Sequence, residues 1–184
     1  EVKRQVGPGV GYVTQPEQKG SGHAVACAKE LFERYTEHLV IMCGDSPLFS
    51  AETVSRMMRE HIQAGATVTL ASAILDEPFG YGRILRDASG RIRGIVEEKC
   101  TMPEQREIKE VNGGAYIFDS RWLYENIDKM AVNDAGEYNL TDMVRVAVDQ
   151  GRLVSSVECE PDELMGVNTP EQLAAVEKIL SKRN

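Results

Sequence analysis

Asp45 is the first residue whose type and position suggest a chemical role. It stands just past the apolar run at residues 38–43, in the segment CGDSPL. A run of this length predicts a strand buried on both faces, and open α/β sheets bind ligands beyond the carboxyl ends of such strands. A carboxylate there is a hard oxygen donor suited to Mg²⁺. The alternative is a turn acid that caps the next element, and a glycine–aspartate pair alone favours that structural role.

A second candidate lies at residues 15–24, QPEQKGSGHA, where two glycines flank Ser21 directly before a helical pattern. Glycine lets a ligand approach the backbone closely, and a helix N-terminus offers unpaired N–H groups. Gln15 can form two complementary hydrogen bonds with the edge of a nucleobase. The alternative is a glycine-rich turn that caps the helix, and the segment alone supports both interpretations equally.

Glu97 and Asn112 come at the ends of two further predicted strands. Together they could hydrogen-bond sugar hydroxyls and an acetamido group. The alternatives are a solvated run of charges for VEEK and a tight turn for NGG. Gly82 belongs to another loop where a ligand could approach the backbone, and the alternative is the start of a hairpin. Asn168, just before the last helical pattern, would otherwise be a simple loop residue.

The elements that must position these residues alternate between strand and helix periods. Strand patterns at 10–14, 38–43 and 67–73 alternate with helical patterns at 22–35 and 51–64. This order predicts an α/β fold with a mostly parallel sheet and flanking helices. The other predicted elements are strands at 81–86, 91–97, 110–118 and 153–159, and helices at 121–128, 140–150 and from Pro170 onwards.

Size and charge narrow the class of protein. The 184 residues fit one domain, and no linker divides them. A net charge of −8 argues against nucleic acid as a partner, although a small anion could bind through local donors and a divalent cation. No apolar run could span a membrane. The four scattered cysteines argue against zinc and for free thiols in the cytoplasm.

Each motif is weak alone, but their order along the chain is specific. The series resembles the uridyltransferase domain of the bifunctional N-acetylglucosamine-1-phosphate uridyltransferases, within the sugar-1-phosphate nucleotidyltransferase family. It runs from about residue 11 to the C-terminus. In chain order, the motifs are QxEQxGSGHA, GDxPL, GYGRI, IVEEK, EVNGG, GEYNLTD and GVNTPEQL.

The resemblance implies a Rossmann-like nucleotide-diphospho-sugar transferase fold with Mg²⁺ as cofactor. The implied reaction joins UTP to N-acetylglucosamine 1-phosphate, forming UDP-N-acetylglucosamine and pyrophosphate. By this resemblance, Asp45 and Asn168 match the protein ligands of the metal. The residues that match contacts to the nucleotide are Gln15 and Gly20 at the uracil base and Ser21 beside the nucleoside. Those that match the sugar side are Gly82, Glu97, Asn112 and Thr141, the last in a stretch that closes over the sugar. Gly44 is a further substrate-binding residue by the same resemblance.

Three departures from the family pattern lie near the expected sugar pocket. Cys43 and Asn139 stand where the family often has tyrosine, and Gly113 stands where it usually has threonine. They leave the identity of the sugar open more than the class of reaction. A different hexose 1-phosphate, or dTTP as the nucleotide, therefore remains an alternative.

A larger departure concerns the triphosphate. Family members begin with a strand and a glycine-rich loop, LxAGxGTRM, followed by a catalytic lysine, and residues 1–10 do not match this pattern. The left-handed β-helix of the bifunctional enzymes has no counterpart either. We therefore expect little or no transferase activity, and either a rearranged sheet edge or one that pairs with another chain. The alternative is a non-catalytic module that binds a sugar nucleotide.

Overall fold

The computed structural model describes residues 2–32 and 36–183. The strands are β1 (His38–Met42), β2 (Val68–Ile74), β3 (Arg83–Arg86), β4 (Ile92–Val96), β5 (Glu110–Asp119) and β6 (Val154–Glu158). The α-helices are α1 (Val2–Val6), α2 (Ser21–Cys27), α3 (Lys29–Phe32), α4 (Ala51–Ala64), α5 (Pro103–Arg106), α6 (Ser120–Asn126), α7 (Asp142–Asp149) and α8 (Pro170–Arg183). No helix in these two stretches is both long enough and apolar enough to cross a bilayer.

Strand β5 organises the sheet because it pairs with three neighbours, all antiparallel. β2 runs along one edge of β5, and β1 and β3 share the other. The path through the sheet is β4-β3-β5-β2-β6, with β1 beside β5. The α/β class with flanking helices is confirmed. The sheet is mixed and not mostly parallel, since within the described ranges only β2 and β6 pair in parallel. Short connections such as the β3–β4 hairpin impose antiparallel pairing, which periodicity along one segment does not encode.

Two predicted elements near the N-terminus differ from the structure. Residues 10–14 form no strand, because no neighbouring strand pairs with them. The helix expected at 22–35 is split into α2 and α3 at Ala28. Residues 33–35 of that prediction lie outside the described residues.

The sheet is buried on both faces. One face packs on α6 and α7, where Leu123 and Met143 are fully buried and the Phe118 and Trp122 rings stack 6.4 Å apart. The other face packs on α4, chiefly through Met57. Both layers bury apolar surface, which is the main favourable contribution to folding.

A bulge in β5 shapes the sheet beside the site. Leu70 of β2 pairs with Tyr116 and Ser72 pairs with Asn112, so three residues of β5 face one residue of β2. Gly114 lies inside this bulge with φ +76°, a conformation that favours glycine. Such bulges redirect the side chains of a strand, and this one sets the direction of Asn112.

Strand β1 has one unpaired edge. Its hydrogen-bonding partner is β5, and the described stretches of the chain supply no strand to its other side. An open cavity of about 510 Å³ lies beside it, lined mainly by apolar side chains such as those of Val25, Leu39, Val40 and Met42. An edge of this kind can accept another strand.

A buried histidine makes the fold sensitive to acid. His61 of α4 is 1% exposed, and its Nδ1 lies 3.0 Å from the Thr69 hydroxyl. Burial, reinforced by nearby His38 and opposed by Asp119, lowers the pKa of His61 to about 4 from 6.5. The unfolded chain therefore binds more protons between these two pH values, and stability falls as pH drops through that window. The difference corresponds to about 3 kcal/mol.

Urea unfolding at pH 7 and pH 4.5 measures this effect. We expect His61→Gln to lose less stability on acidification than the unsubstituted chain, because glutamine does not titrate. His23→Gln, which changes a histidine of α2 that lies near Gln15 and Tyr138, serves as the control and should keep the full pH dependence. Equal pH dependence in His61→Gln and the unsubstituted chain would contradict the assignment.

Candidate nucleotide-sugar site

Two cavities meet at Asp45, just beyond the carboxyl end of β1. Their volumes are about 570 Å³ and 500 Å³, and both linings include Cys43, Asp45, Asn112 and Gly114. Among the sequence-predicted residues, the larger cavity also has Ser21, Gly44, Glu97 and Thr141 in its lining. The smaller one has Gly82 and Asn168. The structure thus brings eight of the ten predicted residues to one continuous region.

Asp45 and Asn168, far apart in sequence, line the same cavity. The N–H of Val167 donates to the Asp45 carbonyl oxygen at 2.8 Å, which ties the two segments together. Asn168 is held in turn by α8, since Gln172 Oε1 accepts from the N–H groups of Asn168 (2.7 Å) and Thr169 (3.0 Å). In return, the Gln172 N–H donates to Thr169 Oγ1 at 3.3 Å, so Thr169 and Gln172 of this motif form a reciprocal cap at the helix N-terminus.

The donors of Asp45 and Asn168 fit a hard divalent cation. Both side chains are exposed to the cavity region, and they offer a carboxylate and an amide oxygen. Mg²⁺ commonly takes one or two such ligands and completes its shell with water and substrate phosphates. Within the described ranges, no cluster of three or more His, Cys, Asp or Glu residues forms a closed metal cage. One carboxylate and one amide oxygen are compatible with a cation that takes its other ligands from water and substrate.

Glu97 is oriented by Thr141. The Thr141 hydroxyl donates to Glu97 Oε1 at 2.8 Å. A Cβ at Gly82 would lie 2.9 Å from Ile95 Cγ2 and 3.5 Å from Glu97 Oε2, so a side chain there would clash with Ile95 and be in van der Waals contact with the carboxylate. Burial, followed by the Glu97 charge, raises the pKa of neighbouring Asp142. These contacts leave one Glu97 oxygen to accept a ligand hydroxyl.

Asn112 is held from three directions. Its backbone N–H donates to the Gly82 carbonyl at 2.8 Å, and its Nδ2 donates to Tyr116 Oη at 2.6 Å. Its Oδ1 accepts from the Gly114 N–H at 3.3 Å. Tyr116 also lines the larger cavity, yet sequence reasoning missed it because a tyrosine in an apolar strand resembles an ordinary core residue.

Ser21 connects the glycine-rich segment to the far wall of the cavity. The Leu140 N–H donates to Ser21 Oγ at 3.1 Å, just before Thr141. The backbone reinforces this link, since Tyr138 N–H donates to the Lys19 carbonyl (2.8 Å) and Gly22 N–H to the Tyr138 carbonyl (2.9 Å). Segment 138–141 therefore spans the predicted nucleotide and sugar sides.

Gln15 and Gly20 lie outside the linings of both cavities. Gln15 Nε2 donates to the Gly20 carbonyl at 3.1 Å and lies 3.0 Å from His23 Nδ1. Gly20 has φ +90°. In this arrangement, Gln15 stabilises the loop with its amide nitrogen, one of the two groups that were expected to face a base.

The electrostatic character of the site is acidic. Neither lining contains a lysine or arginine among the described residues, whereas both contain Asp45 and one contains Glu97. Burial, with a smaller contribution from Asp45, raises the pKa of the Cys43 thiol, so this thiol is protonated at neutral pH. The cavities can donate and accept hydrogen bonds and can hold a cation, but they offer no side-chain cation to a triphosphate.

Comparison with known proteins identifies the class. The nucleotidyl transferase family model matches residues 1–162, and the chain belongs to this family. The bifunctional protein GlmU of Trichlorobacter lovleyi is 42% identical over 187 residues, covering 100% of this chain and 41% of that protein. GlmU of Clostridium novyi is 41% identical, covering 94% of this chain and 38% of that protein. The chain thus spans about 40% of the length of these curated relatives.

A solved structure shares the fold. UDP-glucose pyrophosphorylase, crystallised with UDP-glucose, superimposes with a TM-score of 0.73 at 18% identity. The match covers 95% of this chain and 66% of that one. The likeness confirms the Rossmann-like nucleotide-sugar transferase fold expected from the motifs.

Proposed function

We propose that this chain carries the metal- and sugar-binding part of a uridyltransferase that forms UDP-N-acetylglucosamine from UTP and N-acetylglucosamine 1-phosphate. The observation that carries the proposal is the position of Asp45 and Asn168 in the lining of one cavity with Gly82 and Asn112. The similarity to the bifunctional GlmU proteins supports this proposal. All four cysteines are free thiols, which supports a cytoplasmic location.

The chemistry requires positioning more than acid–base catalysis. An oxygen of the sugar phosphate attacks the α-phosphorus of UTP, and pyrophosphate leaves. The nucleophile is already an anion, so the protein has to align it and offset the charge of the reacting groups. Asp45 and Asn168 would hold Mg²⁺, which supplies charge neutralisation between the phosphates when bound.

The remaining side chains orient the sugar. Glu97 accepts from a sugar hydroxyl through the oxygen that Thr141 leaves free. The Asn112 amide bonds the sugar or its acetamido group, and the absence of a side chain at Gly82 gives the ring room. Ser21 and Gly44 line the cavity that also contains Glu97 and Asn112, and Ser21 would lie beside the nucleoside.

The 184-residue chain is expected to bind the nucleotide sugar but to turn over slowly, because neither cavity lining in the described ranges has a cationic side chain for the triphosphate. Losing even one hydrogen-bond donor that stabilises a developing negative charge typically lowers the rate by a factor of about 10²–10³. Calorimetry with UDP-N-acetylglucosamine, UDP-glucose and dTDP-glucose tests binding, and pyrophosphate release tests turnover.

We expect UDP-N-acetylglucosamine to bind most tightly of the three. Tighter binding of another nucleotide sugar would reassign the substrate, and no binding would refute the function. A turnover near ~10 s⁻¹, the median for enzymes, would contradict the expectation that the lack of cationic side chains slows the reaction.

A second candidate function, a non-catalytic sugar-nucleotide-binding module, is favoured by the same acidic lining. Adding the glycine-rich N-terminal segment of a relative in trans distinguishes the two, since only an enzyme part should recover activity.

We further propose that the unpaired edge of β1 receives a strand from another segment or from a second copy of the chain. The exposed apolar side chains Val40 and Met42 flank that edge, each 38% exposed. We expect association in solution that Val40→Lys weakens, because a charge on an edge strand opposes pairing. Ile62→Lys on α4 is the control, and sedimentation is the measurement. A monodisperse monomer at all concentrations would rule out pairing between copies.

A further inference from the structure

We infer that Tyr116 is a positioning residue that fixes the side-chain amide of Asn112 and thereby sets which sugar the cavity accepts. The inference rests on the proposed function, because it concerns the sugar side of the same site. Tyr116 matches none of the ligand-contact motifs, so its role depends on the structure alone.

Two contacts of opposite kind determine the orientation of the Asn112 amide. Nδ2 donates to Tyr116 Oη at 2.6 Å, while Oδ1 accepts from the Gly114 N–H at 3.3 Å. If the amide rotated by half a turn, its NH₂ group would face the Gly114 N–H and that bond would be lost, while the Tyr116 hydroxyl would have to change from acceptor to donor. The remaining N–H and the second lone pair of Oδ1 therefore keep constant directions.

The bulge in β5 makes the contact between Asn112 and Tyr116 possible. In a regular strand, residues four apart point to the same face but lie about 13 Å apart along the strand. The bulge at Gly113 and Gly114 shortens that path, and Gly113 has little free space, since a Cβ there would lie 3.1 Å from the Ala71 carbonyl oxygen. The bulge thus joins Asn112 to an anchor in the core.

Tyr116 is well suited to be that anchor. It is 4% exposed, and its ring lies 5.9 Å from that of Phe118. Burial raises the pKa of its phenol, which keeps the hydroxyl neutral and able to accept from the amide. Glu97 and Thr141 line the same cavity, so the fixed amide borders the same space as the groups proposed to hold the sugar.

A fixed amide discriminates between sugars more strongly than a rotating one. A buried donor that finds no acceptor on the wrong sugar is left unpaired, and sites of this kind reject such analogues effectively. If the amide can rotate, it can present its oxygen where its nitrogen was, and so accommodate a sugar with a different arrangement of donors and acceptors. Losing the Tyr116 hydroxyl should therefore reduce selectivity more than overall affinity.

Tyr116→Phe is the test, with Tyr124→Phe as the matched control because Tyr124 lies outside both cavities. The first measurement is hydrogen exchange of the Asn112 side-chain amide protons by NMR, which needs no ligand. We expect faster exchange in Tyr116→Phe and no change in Tyr124→Phe. The second is the ratio of dissociation constants for UDP-glucose and UDP-N-acetylglucosamine. We expect this ratio to fall about five- to tenfold, as for the loss of one hydrogen bond.

The outcomes separate the inference from the proposed function. If the unsubstituted chain binds neither nucleotide sugar, the function fails, and amide exchange still decides whether Tyr116 holds Asn112. If that chain binds and Tyr116→Phe keeps the same selectivity, the inference is overturned while the function stands. Unchanged amide exchange in Tyr116→Phe overturns the inference in either case.

Discussion

Replacing Glu98 with glutamine is expected to lower the free energy of unfolding by about 3 kcal/mol, because it leaves a buried guanidinium without its counter-charge. Arg83 is 2% exposed, and its Nη1 lies 2.8 Å from Glu98 Oε2, whose side chain is 23% exposed. Arg83 also donates to the Tyr81 carbonyl, and the Gly80 N–H donates to Glu98 Oε2 at 3.2 Å. The pair therefore connects the loop that carries Gly82 to the end of β4.

Two further variants identify the cause of the loss. Replacing both partners with apolar residues, as in Arg83→Met with Glu98→Leu, should cost less than Glu98→Gln, since no buried charge remains. Asp76→Asn breaks the exposed ion pair between Asp76, whose side chain is 95% exposed, and Lys109, whose side chain is 55% exposed. This change should lower the free energy of unfolding by less than about 1 kcal/mol. Urea unfolding of the three proteins is the measurement. If Glu98→Gln were as stable as Asp76→Asn, the Arg83–Glu98 pair would not support the fold.

Replacing Gly20 with alanine is expected to cost about 3 kcal/mol of stability and to abolish nucleotide-sugar binding. Backbone strain at φ +90° contributes on the order of 1–2 kcal/mol. In addition, the new Cβ would lie 2.5 Å from the Tyr138 carbonyl oxygen, a backbone atom that cannot move alone. Displacing Tyr138 would disturb the segment whose Thr141 orients Glu97, so the effect should reach the sugar side of the site.

Gly90→Ala separates strain from steric clash. Gly90 has φ +82°, close to that of Gly20, but an added Cβ there meets nothing within 4 Å. We expect Gly90→Ala to lose about 1 kcal/mol and to bind ligand normally. Thermal unfolding and calorimetry compare the two variants. If both variants lost similar amounts of stability and of ligand affinity, segment 138–141 would move at little energetic cost. A change at Gly20 would then not reach the sugar side of the site.

The sequence indicated which residues line the two cavities better than it indicated how the strands of the sheet pair. Asp45, Asn112 and Asn168 could be predicted because each belongs to a short motif whose chemistry is local, at the end of a strand or the start of a helix. The direction of β5 relative to its neighbours could not be predicted, since a strand's hydrophobic pattern does not encode which strands it pairs with. The pattern at residues 10–14 likewise suggested a strand that has no partner.

The roles of residues that act through other residues could not be predicted from the sequence either. Arg83 follows Gly82 in a motif, but its burial against Glu98 depends on the β3–β4 hairpin. Tyr116 reaches Asn112 only because β5 bulges, and two adjacent glycines signal a turn as readily as a bulge. Gln15 matched a base-binding pattern, yet its amide bonds to its own loop.

Binding of Mn²⁺, a paramagnetic substitute for Mg²⁺, to the chain saturated with UDP-N-acetylglucosamine tests most directly whether Asp45 and Asn168 form one metal site. Electron paramagnetic resonance measures the free ion. We expect Asp45→Asn and Asn168→Ala each to weaken Mn²⁺ binding at least about tenfold, because even residues that only orient a metal ligand contribute that much. The exposed Asp76→Asn control should bind as the unsubstituted chain does. Equal Mn²⁺ affinity in all four proteins would contradict the assignment.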